Sequence, residues 1–123
     1  MKPGEIYFIR LDKNDVNEIV HPFVICKVNE GFGINNRNYS VCMISTNMKK
    51  AYWPGNIVLK EDEAGLPKRS IIIVAKTENI QANQIKEYIG KFSDERFYEI
   101  LESISKMNSN VDEVVNRKSG AEK

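Results

Sequence analysis

Residues His21–Val28 read HPFVICKV, and the fold turns on that run. From Pro22 to Val28 only Lys27 is charged, and apolar residues fall on both parities of the run. Seven residues are too few for a stable helix, and Val, Ile and Phe favour extended backbone, so the run predicts a strand covered on both faces or set in a barrel wall. Proline at the second position fits a strand start, where its missing N–H costs least.

Similar short runs lie on either side. Glu5–Leu11 (EIYFIRL) predicts a first strand, launched from a Pro3-Gly4 turn. Tyr39–Thr46 (YSVCMIST) predicts a third and Asn56–Lys60 a short fourth. Ser70–Lys76 (SIIIVAK) is the most β-branched segment and reads as a central strand, and Glu87–Phe92 reads as a last short one. The connections are polar and rich in Gly and Asn: DKNDVNEIV, NEGFGINNRN, NMKKAYWPG and EDEAGLPKR. QANQIKEYI, before the last strand, allows a short helical turn. One helix follows. Ser93 precedes Asp94 and Glu95, an N-cap with acids in the first turn. Phe97, Ile100, Leu101 and Ile104 then recur at helical spacing and predict one buried stripe.

Strands joined without helices pair antiparallel, and so many short ones predict a small barrel. The fold class expected is therefore mainly β with a C-terminal helix, as a small antiparallel barrel. The chain of 123 residues suits one domain, expected over 1–107, with a polar tail over 108–123.

Bulk properties remove several function classes. Net charge is +1, which gives no strong field toward nucleic acid, although residues 1–60 carry 8 basic and 5 acidic side chains. No apolar run reaches the ~18 residues of a membrane span. MKPGEIYFIR enters a strand pattern directly, with no secretory h-region, so the expected location is cytoplasmic. Cys26 and Cys42 sit inside apolar runs without metal-ligand spacing, and they read as small buried hydrophobes. One histidine and no CxxC leave no zinc site to propose.

Five segments, taken in order, resemble the PemK/MazF (Kid-like) family of bacterial toxins. PGEIYFIRL looks like the family's opening strand, HPFVICKV its second and VCMIST its third. GLPKRSIIIVAKTENI looks like its turn and long strand, and YIGKFSDERFYEILESI its closing strand and helix. The resemblance spans about residues 3–107 and implies an SH3-like barrel, a homodimer and no cofactor or metal. It implies the toxin of a type II toxin-antitoxin system, a metal-independent endoribonuclease that cleaves single-stranded RNA and is held in check by a cognate antitoxin protein. A second reading is a barrel of the same lineage that binds RNA or an antitoxin peptide without cleaving.

The resemblance also places candidate residues. The family's catalytic Arg, just before the proline of the second strand, falls on His21; its catalytic hydroxyl falls on Ser45, followed by Thr46. Arg to His replaces a permanent forked cation with a switchable one. The Arg-Thr-Ile that usually follows the long strand reads Thr77-Glu78-Asn79-Ile80, so part of the family's RNA-handling set is absent. Metal-free RNA cleavage needs a base at the 2′ oxygen, an acid at the leaving oxygen and donors on the phosphate. A free imidazole, titrating near ~6.5, suits the first two roles. Glu18, three residues upstream, can orient His21 or act as base, and Ser45 and Thr46 can donate. Each has an ordinary alternative: His21 as a surface residue that opens a strand, Glu18 as a solvated acid, the hydroxyls bonded to nearby backbone. Lys49 and Lys50 stand before Tyr52 and Trp53, cations for phosphates and rings for bases. The alternative places Trp53 in the core or a dimer interface. Arg10 and Lys13 complete the candidate phosphate contacts, with solvated charges as the alternative.

Overall fold

The computed structural model describes residues 1–12, 17, 20–31 and 37–121, with side chains through 108. Six strands and one helix follow in order: β1 Glu5–Ile9, β2 His21–Asn29, β3 Asn38–Ser45, β4 Ile57–Leu59, β5 Ser70–Gln81, β6 Ile85–Lys91 and α1 Asp94–Ala121. Single 3-10 turns occupy Met48–Tyr52 and Ala82–Gln84. Among the described residues the strands pair antiparallel, in the order β4-β5-β3-β2-β1-β6.

The expected barrel does not form. The sheet is open, with β4 and β6 as its two edges. β4 has only three residues, and the chain then leaves the sheet through a turn with positive φ at Asp62, Ala64 and Gly65. That turn, closed by the Glu63–Leu66 bridge, reaches β6 by backbone packing rather than by a ladder. Gly65 and Gly90 meet there, and a Cβ on Gly90 would lie 1.9 Å from the Ala64 carbonyl oxygen. Arg96 holds the turn from α1, Nε to Glu63 Oε2 at 2.7 Å and Nη2 to Glu63 Oε1 at 3.0 Å.

β2 is buried on both faces, as its composition predicts. Val24 and Cys26 join Ile6, Cys42, Ile44, Ile72, Val74 and Ile100 in a core under α1. Phe23 and Ile25 join Ile9, Tyr39, Val41 and Ile80 in a second cluster on the opposite face. Both cysteines are free and buried. Two irregularities bend the sheet. The β2–β3 register shifts by one residue around Cys26, between Ile25↔Val41 and Lys27↔Ser40. The β3–β5 register shifts by three, between Cys42↔Thr77 and Ile44↔Ile72, leaving Ile73–Lys76 as a bend within β5.

Ser93 caps α1 as predicted, accepting the Arg96 N–H on its Oγ at 3.2 Å. The helical stripe is corrected at one position. Phe97, Ile100, Ile104 and Met107 face the core, while Leu101 stays 39% exposed and is not among the side chains packed on it. Among the described residues, no helix is long and apolar enough to cross a membrane.

Candidate functional site

His21 opens β2 and Ser45 closes β3. Their strands last pair at Phe23↔Met43, and each residue lies two positions beyond that pair. Side chains alternate along a strand, so His21 and Ser45 belong to the face that carries Phe23 and Met43. His21 is exposed and Ser45 half-buried. The Ser45 hydroxyl oxygen accepts the Asn47 N–H at 3.1 Å, the local backbone bond that sequence reasoning offered as its alternative. Ile9, the last residue of β1, pairs with His21 on its other side.

Phe23 and Met43 form part of a mostly apolar cavity of about 320 Å³ with Leu11, Ile73 and Ala75. Lys50, Trp53, Lys76 and Glu78 complete its wall. Lys50 Nζ lies 5.4 Å from the Trp53 ring centroid, a cation–π contact. Trp53 is 49% exposed, one side to the cavity and the other to solvent, so it is not a core residue of this chain. Lys76 Nζ meets Glu78 Oε1 at 3.3 Å at the rim.

The loop that carries Lys50 and Trp53 is held by its own polar side chains. Asn47 caps the 3-10 turn, its Oδ1 accepting the Lys49 N–H at 3.2 Å. Asn56 donates from Nδ2 to the Lys50 carbonyl at 2.9 Å and accepts the Val74 N–H on Oδ1 at 3.1 Å. The second bond satisfies a backbone donor that the β5 bend takes out of the ladder. Gly55, at φ +81°, packs so closely on Met107 and Val74 that a Cβ would fall within 3 Å of both. Ser103 of α1 donates its hydroxyl to the Gly55 carbonyl.

The other candidates are dispersed. Lys49 and Tyr52 are exposed on the same 3-10 turn, Tyr52 at 91%. Thr46 lines a different cavity of about 570 Å³, with Pro22, Phe8, Leu66 and Tyr88, on the opposite face of the sheet. Arg10 is anchored by its backbone to Gln84, and its Nε is buried with no hydrogen-bond partner among the described residues. Lys13 and Glu18 lie outside the described residues. Sequence reasoning did not select Lys76 and Glu78 as site residues; the signal was the charge in KTEN directly after an apolar strand. Among the described residues, no three His, Cys, Asp or Glu side chains are grouped to hold a metal ion.

The family model described as PemK-like, MazF-like toxin of type II toxin-antitoxin system matches residues 2–107. No curated protein matches the chain. Among solved structures, the Mycobacterium tuberculosis toxin MazF-mt6 is similar at 19% identity and TM-score 0.65, covering 85% of this chain and 96% of its own. An endoribonuclease in complex with its cognate antitoxin from Mycobacterial species is similar at 12% identity and TM-score 0.62, covering 86% and 90%. An endoribonuclease from Mycobacterial species is similar at 12% identity and TM-score 0.64, covering 86% and 88%. At these identities the structures share the fold, and the family model carries the assignment: the chain belongs to the PemK-like, MazF-like toxins of type II toxin-antitoxin systems.

Proposed function

We propose that the chain is a metal-independent endoribonuclease that cleaves single-stranded RNA, acts as a homodimer in the cytoplasm and is inhibited by a cognate antitoxin. One observation carries the reading. The two strand ends that bear an imidazole and a hydroxyl share a face with an apolar cavity walled by Trp53 and Lys50. Groups suited to chemistry and groups suited to strand binding therefore belong to one face of the sheet. A base can stack on Trp53 while Lys49 and Lys50 meet phosphates. His21 then moves the proton of the 2′ hydroxyl or of the leaving 5′ oxygen. Ser45 donates to the phosphate, where negative charge develops. Glu18 is assigned in this reading to orient the imidazole or to act as base. Thr46, Tyr52, Arg10 and Lys13 are outer contacts in this reading. The antitoxin follows from the family and from the similar endoribonuclease seen with its own antitoxin.

The test is cleavage of a long single-stranded RNA in EDTA, wild type beside His21→Ala and Ser45→Ala. The expected result is cuts at a short recurring sequence, abolished in His21→Ala and reduced in Ser45→Ala. No cuts by folded, antitoxin-free wild type would overturn the enzymatic reading and leave a binding protein of the same lineage.

A further inference from the structure

The cavity beside Trp53 has an apolar floor but one charged edge. Lys76 and Glu78 stand two residues apart at the end of the β5 bend, both lining the cavity, with Nζ and Oε1 3.3 Å apart. Glu78 pairs with Val41 across the β3–β5 ladder, so its backbone is fixed by the sheet. The Lys76 side chain is 79% exposed and that of Glu78 32%. An ion pair with so exposed a lysine contributes little to stability, so its partners can be exchanged for those of a ligand.

Resting on the RNA-binding reading of this face, we infer that Lys76 and Glu78 together select guanine as the base that stacks on Trp53. The edge presents one donor, the Lys76 ammonium, beside two acceptors, the Glu78 carboxylate oxygens. Guanine's Watson–Crick edge is the complement: the O6 acceptor, then the N1–H and N2–H donors. Uracil offers O4 and N3–H but turns its O2 toward a carboxylate oxygen. Adenine and cytosine each set a ring-nitrogen acceptor against the carboxylate and no acceptor against the ammonium at the corresponding end. Against the apolar lining of Leu11, Phe23 and Met43, an acceptor set against an acceptor forfeits its hydrogen bond, and that loss makes the discrimination. Trp53 supplies stacking that every base accepts; the Lys76–Glu78 edge supplies the choice.

The test uses fluorescence anisotropy with 2′-O-methyl pentanucleotides, which lack the nucleophile and cannot be cut. The series is UUGUU, UUAUU, UUCUU, UUUUU and the inosine analogue of UUGUU. Wild type is expected to bind UUGUU about tenfold or more tighter than the A, C and U oligomers, the size of one good paired base contact. Inosine, without the 2-amino group, should fall between. Glu78→Gln, which offers one acceptor and one donor, should lose the preference. Equal binding of all oligomers by wild type would overturn the inference without needing the variant. So would a guanine preference that survives Glu78→Gln, and both results would leave the RNA-binding reading standing. Failure of every oligomer to bind would overturn that reading together with this one.

Discussion

The Asn56 side-chain oxygen accepts the Val74 N–H at 3.1 Å and so ties the loop of Trp53 to the bend of β5. The same amide donates to the Lys50 carbonyl at 2.9 Å, so one half-buried side chain satisfies a donor and an acceptor from two segments. Asn56→Ala strips the Val74 N–H of its acceptor and leaves the Lys50 carbonyl with the Trp53 N–H alone. The expected cost is about 1–3 kcal/mol in urea unfolding, in the range for polar groups stranded on truncation. Asn56→Asp retains the acceptor but sets a carboxylate oxygen against the Lys50 carbonyl, and it should not restore the wild-type value. A cost below about 0.5 kcal/mol for Asn56→Ala would mean that water replaces the amide at both positions.

Gly90 faces the carbonyl of Ala64, where an added Cβ would lie 1.9 Å from the oxygen and 2.7 Å from the carbon. Both obstacles are backbone, and the turn that carries them has positive φ at Asp62, Ala64 and Gly65, so it has little room to retreat. Gly90→Ala should destabilise by about 2 kcal/mol or more through forced separation of the turn from β6. Lys91→Ala, an exposed neighbour, serves as control and should stay within about 0.5 kcal/mol. Equal unfolding midpoints for the two variants would show that this contact does not hold the open sheet together.

Arg96 grips Glu63 through two parallel hydrogen bonds, with each side chain only 20% exposed. Burial opposes ionisation of Glu63, but the Arg96 guanidinium and the Lys60 N–H outweigh it and hold the carboxyl below its ordinary pKa. A depressed carboxyl stabilises the fold at pH above its unfolded pKa. That contribution fades as pH falls through the unfolded value and is gone below the folded one. Glu63→Gln should therefore cost about 1 kcal/mol near neutrality, and the gap to wild type should narrow at an acidic pH below the ordinary glutamate pKa. Denaturant unfolding at both pH values checks this. A gap that widens in acid would reverse the sign assigned to Glu63.

Much of this architecture is local in origin and could be read in advance. HPFVICKV is apolar on both parities because β2 has a core on each face, and SIIIVAK is β-branched because β5 pairs on both sides. The Ser93 cap is chemistry within four residues. What eluded the sequence depends on non-local register. A three-residue shift against β3 bends β5 and brings Ala75, Lys76 and Glu78 around to Trp53, and no periodicity within KTEN reports a bend. Closure failed for a similar reason. Strand count suggested a barrel, but the three-residue β4 and the turn after it leave two unpaired edges, and the contact between Gly65 and Gly90 substitutes for a ladder. At the candidate site, the strand-end positions of His21 and Ser45 were legible by resemblance, whereas the separation of Thr46 onto the opposite face follows from simple alternation along β3.

Trp53 and Lys50 offer the sharpest division between stacking and charge on this face. The ring is half exposed over an apolar cavity, with the ammonium 5.4 Å from its centroid. Trp53→Ala should weaken binding of a single-stranded 2′-O-methyl RNA about tenfold to a hundredfold, as expected when one base loses its stacking partner. Trp53→Phe should recover most of that loss, because the aromatic face is what the base uses. Lys50→Ala removes a cation and should lower the salt dependence, by about 0.7 in the slope of log affinity against log salt if the ammonium meets one phosphate. Tyr52, which is 91% exposed and does not line the cavity, should matter less than Trp53 when replaced by Ala. Titrations at several salt concentrations separate these effects: Trp53 variants should shift the line without changing its slope, and Lys50→Ala should change the slope. If Trp53→Ala altered the slope as well, the cation–π contact would be positioning Lys50 for its phosphate, and the two residues would have to be counted as one binding unit.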